Sequence, residues 1–103
     1  MIRQFDVCAT PFKIGRKERP YILVVQSDHL EMPSRVCAAL VAEKFLVPER
    51  RLNPPFYIAD ARCYLHPAEL MSLPVSLLRD PIANLESDRA RIIAALDLVF
   101  TGI

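Results

Sequence analysis

Nine prolines against two glycines do most to fix what this chain can become, because each proline removes a backbone donor and breaks a regular element. Between these breaks the apolar residues fall into short runs. Ile2, Phe5, Val7 and Ala9 suggest a first strand over residues 2–9. Pro11 to Pro20 encloses Gly15 and a basic cluster, and reads as a hairpin loop. Tyr21 to Val25 is a β-branched run closed by Ser27-Asp28, which predicts a second strand. Val36 to Val41 is rich in alanine and could be strand or short helix; its confinement between Pro33 and Pro48 favours strand. Residues 43–55 look irregular. Phe56–Ala59 and Cys63–His66 flank Asp60-Ala61-Arg62 and read as a β-hairpin with a polar turn. Short strands are expected over Glu69–Ser72 and Pro74–Leu78, with Pro74 at a strand start or on an edge.

The period changes from Asp88 onwards. Ile92, Ile93, Leu96, Val99, Phe100 and Ile103 share one face of a helix, with Ser87 as N-cap, Asp88 in the first turn and Gly102 as the stop. The chain is therefore expected to be mainly β, with one helix at its end. A chain of 103 residues fits one domain, 1–103, whose core buries roughly two-thirds of the unfolded surface. Hydrophobic residues make up 52% of it, more than a small monomer needs, so a partner or second copy should cover part of that surface.

Charge narrows the function classes. Thirteen Lys and Arg against twelve Asp and Glu give a formal net charge of +1, which does not provide the electrostatic footprint of a nucleic-acid binder. Arg16-Lys17-Glu18-Arg19 reads as a solvated loop. Cys8, Cys37 and Cys63 are widely spaced, as expected of buried thiols in a reducing compartment. No signal peptide is expected, and Val36–Ala42, the longest apolar run, is too short to span a bilayer. These features predict a cytoplasmic protein.

Catalysis finds little support. Ser27, Asp28 and His29 are neighbours that point to alternate sides of an extended chain, so they cannot form a relay. His66 beside Asp60 and Glu69 lacks metal-ligand spacing and reads as a surface or edge-strand histidine; no metal or cofactor is expected. Gly15 and Gly102 stand alone, so no phosphate loop exists. Phe100-Thr101-Gly102-Ile103 is an unusually apolar ending, consistent either with core packing or with a recognition element or dimer contact.

Three segments together resemble a known family. Val24-Val25-Gln26-Ser27-Asp28, Ser72-Leu73-Pro74-Val75-Ser76 and Ala95 to Ile103 occur in the order and spacing of the CcdB toxins, and Gln4-Phe5-Asp6-Val7 and Leu85 also fit. The similarity runs from Gln4 to Ile103. It implies an SH3-like β-barrel with a smaller antiparallel sheet and a C-terminal helix, in a homodimeric, non-catalytic toxin of a toxin–antitoxin module. Such a toxin binds the A subunit of DNA gyrase, traps the enzyme on cleaved DNA, and is neutralised by a CcdA-like antitoxin. The gyrase-contacting positions carried over by the resemblance are Ser27, Leu30, Phe100, Gly102 and Ile103. Three more differ from the family's best-known pattern: His29 stands for an aliphatic residue, Asp97 for an asparagine and Thr101 for a tryptophan. The competing readings are an endoribonuclease toxin of the MazF and Kid type on a related fold, and a degenerate relative that binds antitoxin without poisoning gyrase.

Overall fold

A computed structural model describes residues 1–102; Ile103 lies outside the described residues. Among them, six antiparallel strands form one strongly curved sheet in the order β4-β5-β3-β2-β1-β6. The strands are β1 (Asp6–Ala9), β2 (Tyr21–Val24), β3 (Ser34–Ala42), β4 (Pro55–Ile58), β5 (Ala61–Pro74) and β6 (Ala83–Asn84). The sheet is nearly closed, barrel-like, and carries the helix α1 (Arg89–Thr101), an α+β arrangement of SH3-like type.

The central strands are apolar on both faces, and each face has its own core. Val7, Leu23, Ala38 and Leu40 point to the side where Phe5, Phe56, Ile58 and Leu65 gather and where α1 inserts Ile92 and Ala95. Their neighbours Cys8, Ile22, Val24 and Cys37 point to the other side, against Ile2, Leu73 and Leu78. This alternation explains why β2 and β3 read as continuous apolar runs rather than as alternating ones. The alanines of β3 are strand residues because β2 and β5 pair on either side of them.

Several boundaries differ from the sequence expectation, for identifiable reasons. The first strand begins at Asp6 rather than Ile2, because Phe5 has φ +69° and the Asp6 carboxylate accepts from the Arg3 N–H at 2.8 Å. That local turn breaks the extended chain, although Ile2 remains buried. The β4–β5 turn falls on Ala59-Asp60, both at positive φ, rather than on residues 60–62. Two left-handed residues are what a two-residue hairpin loop of the observed twist demands. The expected strands 69–72 and 74–78 do not exist separately. β5 runs as one strand from Ala61 to Pro74, with a bulge that leaves residues 67–69 unpaired where Ala38 faces Leu70 and the adjacent Ala39 faces His66. Pro67 lies inside the bulge, which absorbs a residue that cannot donate to a ladder. Residues 75–77 are a 3₁₀ turn. The smaller sheet is consequently continuous with the barrel: beyond the bulge, the first half of β3 and the last half of β5 carry the pairing onward.

A bidentate ion pair clamps the 11–20 loop to this bulge. Arg19 donates from Nε and Nη2 to the two Glu69 oxygens, each at 2.6 Å. These hydrogen bonds hold the Glu69 carboxyl below its ordinary pKa, against the opposing effect of burial, with the positive fields of His66 and Arg19 adding to the shift. Because the folded-state carboxyl is the more acidic, its stabilisation is complete above the unfolded pKa and is lost as pH falls through the lower folded value. Both side chains are about a third or more exposed (40% and 32%), so the pair is screened. Glu69→Gln is expected to cost ~0.5–1 kcal/mol at neutral pH. The difference from the parent should shrink towards zero in strongly acidic urea titrations. A difference unchanged by acidification would remove the ion pair as its cause.

Candidate functional site

The end of α1 is built by a helix that is anchored at one end and free at the other. Ile92 and Ala95 are fully buried in the barrel-side core, and Ile93 and Leu96 pack partly against it. One turn later the contact ends: Val99 is 37% exposed and Phe100 69%. Of the apolar face expected to run from Ile92 through Ile103, Ile92 is therefore core, whereas Val99 and Phe100 face solvent. Gly102 has φ +75° and donates its N–H to Leu98 O at 3.0 Å, the left-handed C-cap expected of a helix stop.

At the other end of the helix, Ser87 is not the N-cap. It lies inside a 3₁₀ turn, Glu86–Asp88, that leads into the helix. Asp88 occupies the cap position, but its carboxylate takes Arg91 at 3.0 Å instead of a backbone N–H.

Thr101 donates its hydroxyl to Asp97 O at 2.7 Å, so its polar group is spent within the helix. The Asp97 side chain is exposed and forms no ion pair among the described residues. Ile103, the last of the expected contact residues, lies outside the described residues.

Ser27, His29 and Leu30 occupy the loop after β2. The Ser27 hydroxyl accepts the His29 N–H at 3.1 Å, and the Ser27 carbonyl accepts the Leu30 N–H at 3.1 Å, closing a tight turn. Gln26 braces it by donating to Leu30 O and accepting the Val36 N–H. This brace leaves Leu30 56% and Met32 52% exposed. A cavity of about 500 Å³ opens beside the loop, bounded by Met1, Arg3, Asp28, Met32 and Arg35.

The two groups of residues are not brought together within one chain. Asp28 accepts the Gln4 N–H, and the Gln4 side chain accepts from Arg89, so the loop belongs to the start of α1. Phe100 stands eleven residues further along, ~16 Å at 1.5 Å per residue. Sequence proximity to shared motifs could not reveal that separation.

The other candidate groups offer little chemistry. Cys8, Cys37 and Cys63 are free and buried, as expected. Burial, with a smaller effect of Cys8, pushes the Cys37 thiol up to about 12; Cys8 and Cys63 are also raised, chiefly by burial. Thiols held protonated are poor nucleophiles. His66 is half-buried in β5 beside the bulge, past Tyr64 where pairing with β4 ends, so it is an edge position rather than an open surface one, and its Nδ1 has no hydrogen-bond partner among the described residues. No three His, Cys, Asp or Glu side chains among the described residues converge at metal-binding distance. No helix among them is long and apolar enough to cross a membrane.

One feature is not legible in the sequence. Residues 48–55, read only as irregular, fold against α1 and the start of β5 to enclose a cavity of about 620 Å³. Arg50, Arg51, Arg62 and Arg91 line it from three different segments. Only Arg50-Arg51 is visible as a pair in sequence; the other two arrive through folding.

The model of the CcdB protein family matches residues 4–102, nearly the whole chain. No curated protein matches it.

Proposed function

The chain belongs to the CcdB family, a family of toxin–antitoxin toxins, and on that premise we propose that it poisons DNA gyrase by binding its A subunit and trapping it on cleaved DNA. The observation that carries this reading is Phe100, a large apolar side chain left 69% exposed at the end of a helix whose other turns are firmly seated. An aromatic group in that position is costly to leave in water and suited to filling a pocket on a partner. The protein acts by contact alone, without catalysis. Phe100 and Gly102 form the tip, with Asp97 and Thr101 beside them, and Ile103 is the further contact position that the family resemblance implies.

A single tip covers far less than the roughly 800 Å² per partner of a standard interface. A homodimer would present two tips about a two-fold axis to a two-fold target. Ser27, Leu30 and His29, remote from Phe100 in one chain, then form a second contact region on each protomer. A CcdA-like antitoxin completes the assembly by covering these surfaces. The site of action is the cytoplasm, where gyrase and its DNA are found.

The decisive experiment is expression in two hosts, one with sensitive and one with resistant gyrase. Growth arrest is expected only in the sensitive host. Arrest in both, or RNA cleavage by the pure protein, would transfer support to an endoribonuclease toxin; no arrest in either would favour a degenerate, antitoxin-binding relative.

Thr101 sets the strength of the grip. Its hydroxyl is occupied by Asp97 O, leaving a methyl group where the family's best-known pattern has an indole. A buried interfacial Trp commonly contributes at least ~2 kcal/mol, or roughly 30-fold in affinity. Thr101→Trp should therefore tighten gyrase binding by about that factor in a titration with the A subunit. No gain would show that this position is not in the interface.

A further inference from the structure

The arginine-lined cavity is unused by the gyrase reading and has the chemistry of a binding site. Its volume, about 620 Å³, lies within the roughly 300–1,000 Å³ common for ligand sites. None of its lining residues is acidic. Arg91 is fixed in place by bonds to Asp88 Oδ1 at 3.2 and 3.0 Å and to Pro55 O at 3.3 Å, with its guanidinium 4.7 Å from the Phe56 ring centre. Arg62 lies over the Tyr64 ring and 3.7 Å from Glu43. Arg50 and Arg51 are exposed, and their side chains form no ion pair or hydrogen bond among the described residues. The floor between these charges is apolar, with Pro54, Tyr64, Ala94 and Leu98.

We infer that this cleft docks an acidic peptide segment that carries an apolar side chain between its carboxylates. Three facts select that occupant. The arginines come from three elements around an apolar centre, so they suit carboxylates spaced along a chain on either side of an apolar group. A small inorganic anion would leave the floor unused. A polynucleotide needs an extended basic track, which a chain of net charge +1 with one bounded cleft does not supply.

The position of the cleft gives docking a consequence. Ala94 and Leu98 are one helical turn apart, and Thr101 follows three residues later on the same face. A segment lying over Ala94 and Leu98 and continuing along α1 reaches the exposed tip. Occupation of the cleft would therefore crowd the tip at Thr101, while Phe100, about 200° around the helix from Leu98, stays uncovered. That the segment belongs to an antitoxin rests on the toxin–antitoxin reading; the cleft's preference for acidic peptide does not.

The test is fluorescence anisotropy with a labelled synthetic peptide in which Asp and Glu flank a central leucine, using the full-length protein. Its counterpart with Asn and Gln at the acidic positions serves as the comparison. The acidic peptide should bind, weaken with added salt, and exceed the neutral one by at least about tenfold. Arg50→Ala with Arg51→Ala, both at exposed positions, should also lose at least about tenfold. Phe100→Asp should keep peptide binding, because the tip is outside the cleft. Equal binding of both peptides, no effect of the paired arginine substitutions, or displacement of the peptide by inorganic phosphate alone would overturn the proposal. Growth arrest reports separately on the gyrase reading: the paired arginine variant should still arrest a sensitive host. A wild type that binds peptide but arrests nothing would sink only the gyrase reading.

Discussion

Phe100→Asp is expected to abolish growth arrest and to lower affinity for the gyrase A subunit by roughly 1,000-fold, about 4 kcal/mol. Two effects add. Removing a central aromatic anchor commonly costs at least ~2 kcal/mol, and placing a carboxylate in the desolvated pocket it would fill adds a further penalty of similar size. A dimer would carry the defect on both tips. The fold should be indifferent, because Phe100 is 69% exposed and has no place in either core. The informative pair of measurements is thus a gyrase titration and a thermal melt on the same preparation. Lost binding with an unchanged melt supports a recognition tip. A melt lowered by several degrees would return Phe100 to the role of a packing residue.

Ile92→Ala is expected to produce the reverse profile, starting from stability. Ile92 is fully buried beside Ala95, at the point where α1 meets the barrel-side core. Truncating a buried Ile to Ala costs about 3 kcal/mol, from lost transfer energy and an incompletely collapsed cavity. For a domain of this size that is a large part of a total stability near ~5–15 kcal/mol, and should lower the melting temperature by roughly 10–20 °C. Urea titrations should show a lower midpoint with an unchanged slope. Gyrase binding should weaken only in proportion to the fraction unfolded, because the tip itself is intact. Val99→Ala, on the exposed side of the same helix, is the internal comparison and should change stability by less than ~0.5 kcal/mol. Equal losses for Ile92 and Val99 would mean that the helix is not seated as described.

The errors in reading the strands share a cause. Tyr21–Val24, the β3 region and the Phe56–Ile58 arm of the hairpin were legible because β-branched and apolar runs bounded by proline report local preference directly. The sequence divides β5 into Cys63–His66, Glu69–Ser72 and the start of Pro74–Leu78, whereas pairing with β3 on both sides of the bulge carries the strand through. Pairing energy from a neighbouring strand is not encoded within the segment itself. β6 was missed for the same reason: two residues, Ala83 and Asn84, become a strand only by facing Val7 and Asp6.

The candidate site divides in the same way. The helix, its Gly102 stop and the apolar character of its end follow from residue spacing and the conformational freedom of glycine, and the short motifs around Ser27 and Pro74 carry the family resemblance in the sequence itself. Tertiary structure alone decided which part of the apolar stripe is core. Ile92 and Ala95 meet the sheet, and Phe100 extends past its edge, a distinction of geometry that hydrophobicity cannot express because all three are apolar. It also decided that Ser27 and Phe100 stand apart, and that four arginines from three segments surround one cavity. Such convergence depends on where the chain returns in space, whereas propensity and periodicity describe only how each segment prefers to run.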